Sequence, residues 1–99
     1  MPTPFTIAIA DADLADLKSR LAATRLPQAL DNVGWDYGVD ADVLARFLDY
    51  WGKAFDWRDA EARLNAFPQF IEEIDGEAVH YLQIKGRGTT NVPLLLTNG

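Results

Sequence analysis

His80 is the single histidine in 99 residues and cysteine is absent, so imidazole-assisted nucleophilic chemistry has one candidate base and no thiol. A hydrolytic triad sets that base beside a nucleophile and an orienting acid, and no serine or aspartate here stands in a recognisable nucleophile elbow. His80 therefore reads as a structural or surface residue of a strand. Glu72, Glu73, Asp75 and Glu77 supply carboxylates of the kind that hold a divalent cation, but neighbours on a strand point to opposite faces, so Glu72 and Glu73 do not readily converge. Gly86-Arg87-Gly88 has the glycines of a phosphate loop without a following helix N-terminus to hold the anion. Arg58 and Arg63 flank Asp59 and Glu61 as surface ion pairs do. Asp56-Trp57-Arg58 is more distinctive, because an aromatic ring between an acid and an arginine can lock a helix junction. No cofactor and no metal is expected, and no residue is assigned a catalytic role.

The elements that would position these groups follow from periodicity. Phe5, Ile7 and Ile9 alternate with Thr6 and Ala8, which predicts a short extended segment. Asp11 or Asp13 is the expected N-cap of a first helix, whose stripe is Leu14, Leu17 and Leu21 and which Arg25-Leu26-Pro27 should stop. Residues 28–40 have mixed polarity and two glycines, and read as an ordered loop pinned to a core by Trp35 and Tyr37. Asp40 or Asp42 caps a second helix with one broad face of Val43, Leu44, Phe47, Leu48, Trp51 and Phe55. Asp56 caps a third through Leu64, with Asp59 at its third position, and Trp57, Ala60, Leu64 and Phe67 are expected to pack back on the second as a helical hairpin.

After Pro68 the period changes to two. Asp75-Gly76 suits a two-residue type I′ turn, which places Ile74 opposite Glu77, Glu72 opposite Val79, Phe70 opposite Tyr81 and Ile71 opposite His80. Beyond the polar loop around Gly86, the run Val92-Pro93-Leu94-Leu95-Leu96-Thr97 is continuously apolar, as a strand buried on both faces of a parallel sheet would be.

Charge narrows the partners. Fifteen carboxylates against nine basic residues give a formal charge of −6, which would repel nucleic acid and an anionic membrane surface. Met1-Pro2-Thr3-Pro4-Phe5 has no signal-peptide pattern, no stretch nears the ~20 apolar residues of a membrane span, and the lack of cysteine fits a reducing compartment, so a cytoplasmic location is expected. With 48% hydrophobic residues, Trp35, Trp51 and Trp57 among them, the chain should fold, and a domain of this size buries roughly 60–65% of its unfolded surface around one core.

The order of motifs carries a resemblance. Leu17-Lys18-Ser19-Arg20-Leu21, Thr24-Arg25-Leu26-Pro27, Trp35-Asp36-Tyr37-Gly38, Tyr50-Trp51, Asp56-Trp57-Arg58, Glu61 and Leu64-Asn65 lead into Phe67-Pro68-Gln69-Phe70, Ile74-Asp75-Gly76, His80 and Pro93-Leu94-Leu95-Leu96. Together these resemble the N-terminal region of microsomal-type epoxide hydrolases, of the α/β-hydrolase superfamily. The resemblance implies an α/β fold in which residues 1–67 form a helical extension and residues 68–99 begin the sheet of the hydrolase core. It further implies a parent enzyme that opens a small hydrophobic epoxide with an aspartate nucleophile, and hydrolyses the resulting ester with a histidine–acid pair, tyrosines of a lid assisting. All of these groups are expected downstream, so Tyr37, Tyr50 and Tyr81 are not the lid tyrosines and this segment alone should be inactive.

In the family an oxyanion loop opens with histidine and glycine after a buried strand. Asn98-Gly99 occupies that opening here, so the histidine is replaced. The donors of such a hole are backbone groups, and the asparagine leaves room for an active epoxide hydrolase, a related α/β-hydrolase or an inactive homologue. Microsomal members carry a membrane anchor ahead of this region that this chain does not contain, which fits a soluble relative. The expected partner is the remainder of the hydrolase core and lid. A stand-alone module that docks on a separate core, or forms a homodimer through its last strand, is the alternative.

Overall fold

The computed structural model describes residues 1–99. It holds three helices, α1 (Asp11–Ala22), α2 (Ala41–Lys53) and α3 (Trp57–Asn65), and three strands, β1 (Thr3–Pro4), β2 (Gln69–Ile74) and β3 (Glu77–Leu82). The chain divides into a sheet unit, Met1–Ile7 with Ala62–Gly99, and a helical unit, Ala8–Glu61.

In the sheet unit the strands run in the order β1-β2-β3, antiparallel throughout. The expected hairpin register is the observed one, with Ile74 opposite Glu77, Glu72 opposite Val79, Ile71 opposite His80 and Phe70 opposite Tyr81. Asp75 at φ 52° and Gly76 at φ 86° make the left-handed pair that the turn requires. Aspartate tolerates that region; a β-branched residue does not. Gly76→Val should therefore destabilise the hairpin by roughly 1–2 kcal/mol, whereas Asp75→Asn should be nearly neutral in thermal unfolding. On one face Phe70 stacks on Tyr81 with centroids 5.7 Å apart, and on the other Phe5 meets the His80 ring edge-on at 5.1 Å. The alternating N-terminal segment is a strand only at Thr3 and Pro4, where proline suits an edge because it has no N–H to donate. Phe5 extends the pairing by one bond to the Gln69 carbonyl, 2.9 Å.

In the helical unit α1 packs on α2. Asp40 is the cap of α2: its carboxylate accepts from the N–H groups of Asp42 (2.9 Å) and Val43 (3.1 Å). Losing such a cap costs about 1 kcal/mol, so Asp40→Ala should lower stability by that much in denaturant titration, while Asp42→Ala, which gives up only a first-turn interaction with the helix dipole, should cost less, about 0.3–0.5 kcal/mol. Asp56 caps α3 through the Asp59 N–H, 3.2 Å away.

Several expectations are corrected here. Neither Asp11 nor Asp13 caps α1: Ala10 is the N-cap residue, with no side-chain cap bond, and both acids lie inside the first turn, favourably placed on the helix dipole. α1 ends at Ala22, before Arg25, as the Thr24 hydroxyl donates back to the Arg20 carbonyl at 3.0 Å. The principal helical partner of α2 is α1 rather than α3. Trp35 and Tyr37 do not pin their loop to a core; they are 62% and 81% exposed. Residues 92–97 are no buried strand. A strand exists only as a member of a ladder, these residues pair with no other segment, and Leu95 is 87% exposed.

The single core is likewise not found. No hydrophobic side chain is buried, and the two buried residues, Glu61 and Gln69, are polar. No helix is long and apolar enough to cross a membrane.

Candidate functional site

Each unit is organised around one buried polar side chain. In the helical unit this is Glu61. Capping by Asp56 starts α3 at Trp57, and Trp57, Arg58 and Glu61 then fall at i, i+1 and i+4, so that indole and guanidinium reach the same carboxylate. Glu61 Oε2 accepts from Trp57 Nε1 at 3.1 Å and from the backbone N–H of Ile9 at 2.9 Å, while Oε1 accepts from Arg58 Nη1 at 2.8 Å. Arg58 Nη2 donates onward to Asp11 at 2.5 Å. The reading of Asp56-Trp57-Arg58 as a lock is thus given its parts, and the pairing of Arg58 with Glu61 is more than surface decoration.

The electrostatics follow from that list. The Ile9 N–H, then Arg58 and the Trp57 indole, hold the Glu61 carboxyl below the usual carboxylate range, against desolvation that pushes it up. Hydrogen bonds to Asp11 and Glu61 raise Arg58 further above its usual value. Beside this cluster an open groove of about 1040 Å³ is lined by Leu14, Leu17, Leu21, Phe47, Trp51 and Phe55, with other residues.

In the sheet unit the buried group is Gln69, 4% exposed. Its Nε2 donates to the Leu64 carbonyl at 2.7 Å, which leaves Oε1 to face His80 Nε2 at 3.0 Å. An amide oxygen only accepts, so His80 carries its proton on Nε2. The imidazole is thereby spent on structure, next to Phe5, and has no nucleophile beside it. Asn65 does for Ile7 what a strand neighbour would, accepting from its N–H and donating to its carbonyl, both at 2.8 Å.

Other residues singled out by sequence are not brought together. Glu72 and Glu73 alternate along β2, and no group of three acids, histidines or cysteines is placed to hold a metal ion. Gly86 and Gly88 precede no helix. Asn98 and Gly99 are exposed and in no regular element. Sequence reasoning missed the clamps on Ile7 and Ile9. The available signal was the spacing of Glu61, Asn65 and Gln69, polar residues four apart.

Three helices, an antiparallel three-stranded sheet and an exposed leucine run are the features that a related protein must share. Residues 2–99 match the family described as "Epoxide hydrolase N terminus", and the chain belongs to that family. It is 41% identical over 97 residues to a protein of Stigmatella aurantiaca provisionally named an epoxide hydrolase, the match covering 98% of this chain and 22% of that protein. The structure of Aspergillus niger epoxide hydrolase superposes with a TM-score of 0.76 at 38% identity, over 83% of this chain and 22% of that one. The juvenile hormone epoxide hydrolase of the silkworm Bombyx mori superposes with a TM-score of 0.80 at 28% identity, over 90% and 24%. The α/β-hydrolase fold class expected from the resemblance is that of these structures. The chain spans only about a fifth to a quarter of its relatives' length.

Proposed function

We propose that this chain is the N-terminal scaffold of an epoxide hydrolase, residues 1–67 bracing the outside of the core and residues 68–99 entering its sheet. The observation that carries the reading is the apolar surface: leucines 94–96 and the aromatic face of α2 are exposed although their sequence is that of an interior. Cover by the rest of a hydrolase and its lid accounts for them. In that parent a downstream aspartate attacks an epoxide carbon, the carbon–oxygen bond breaks to give an alkoxide that takes up a proton, and water then cleaves the enzyme ester to release a diol. Asn98 and Gly99 open the oxyanion loop, their role resting on backbone N–H groups. A cytoplasmic location goes with this reading.

The test is to assay the full-length protein with styrene oxide and with a p-nitrophenyl ester. Diol formation is expected. Ester cleavage without diol from any of several epoxides would assign the parent to another α/β-hydrolase reaction, and a stop codon directly after Gly99 would overturn the scaffold assignment in favour of a separate docking module.

A further inference from the structure

Glu61 is buried, yet its carboxylate is fully used: three donors converge on it from three places, the backbone of Ile9 ahead of α1, the Trp57 indole and the Arg58 guanidinium. Only the first of these reaches outside α3. Residues 8–10 belong to no helix or strand, and the Ile9 N–H has Glu61 as its acceptor. Arg58 extends the fastening by one step, to Asp11 on the first turn of α1. The start of α1 is therefore tied to α3 through one titratable group and the cation that serves it.

We propose that Glu61 is an acid-releasable latch that seats residues 8–10 and the first turn of α1, and that protonating it frees this segment while α3 stays folded. A neutral carboxyl accepts weakly, must place its own hydrogen among three donors, and no longer attracts Arg58. The charged groups around Glu61 are Arg58 from its own helix and Asp11 from α1; Asp56 is engaged as the α3 cap, and Lys53 at the end of α2 is paired with Asp49. Desolvation opposes ionisation of Glu61 and Arg58 favours it. The hydrogen bonds decide the balance, and the folded carboxyl titrates below its ordinary value. A group lowered in this way contributes stability above the unfolded value of about 4.3, and that contribution is lost as the pH falls through the folded value.

Amide hydrogen exchange on the full chain, expressed as protection relative to intrinsic rates at each pH, tests the latch. Protection of the Ile9 amide should fall at least about tenfold as the pH is taken below 4, while that of Ile7, held by the non-titrating Asn65, persists. Glu61→Gln should show the loss already at neutral pH and no further pH dependence. Arg58→Gln, which keeps the carboxylate, should move the midpoint of Ile9 release to higher pH. Retention of Ile9 protection in acid, or simultaneous loss at Ile7 and Ile9, would overturn the proposal. A Glu61→Gln chain that does not fold leaves the decision to the Arg58→Gln midpoint, and an unshifted midpoint there also overturns it.

Discussion

Gln69→Leu is expected to destabilise the protein by roughly 2–3 kcal/mol, visible as a fall in Tm of roughly 8 °C or more by circular dichroism. Leucine fits the volume, so a cavity is not the cause. The loss comes from the partners. The Leu64 carbonyl gives up its side-chain donor and His80 its acceptor, at the residue that is only 4% exposed. Leu64 and His80 are themselves exposed, so water takes over part of what is lost, and the cost is the net worth of two hydrogen bonds, up to about 1.5 kcal/mol each. Gln69→Glu separates the two contacts. A carboxylate still accepts from His80 but sets oxygen against the Leu64 oxygen, so this variant should be destabilised at neutral pH, and its deficit relative to the parent should shrink in mild acid, where a protonated carboxyl donates. Equal deficits at both pH values would mean that oxygen set against the Leu64 oxygen is not the source of the cost.

The contrast between Gln69 and the hairpin beside it explains what was legible in the sequence. The hairpin register needs only the Asp75-Gly76 turn and alternation along two adjacent segments, both local, and sequence and structure agree on it residue for residue. The caps at Asp40 and Asp56 are local in the same sense. Asp11 looked equally good as a cap, but its carboxylate is claimed by Arg58, 47 residues away, and nothing near Asp11 announces that. The burial of Gln69 depends on a helix end and a histidine on the next strand meeting over it. Ile7 and Ile9 were read from their side chains, whereas their backbone groups determine how the segment is held. The candidate site divides the same way. Asp56-Trp57-Arg58 stood out by residue type, while Glu61 as their shared acceptor required the helix to be built. The leucine run was legible as interior sequence, and it fails to be a strand here because composition supplies no ladder partner.

Leu95→Asp separates the chain's own stability from the scaffold role proposed for it. Leu95 is 87% exposed within these residues and makes no ring, ion-pair or hydrogen-bonded contact, so on local grounds the change is a surface substitution, worth within about 0.5 kcal/mol. If residues 92–97 are the central strand of a hydrolase sheet, the same change removes a buried leucine, about 2–5 kcal/mol by itself. It also puts a carboxylate into an apolar interior, at a further cost of several kcal/mol. That total is comparable with the whole stability of a domain. In the full-length protein the variant is therefore expected to lose soluble yield and epoxide turnover together, whereas Arg87→Asp, in the polar loop before the strand, should leave both intact. Soluble, active Leu95→Asp protein would mean that the leucines are not interior residues, and the exposed apolar surface would then need a different occupant.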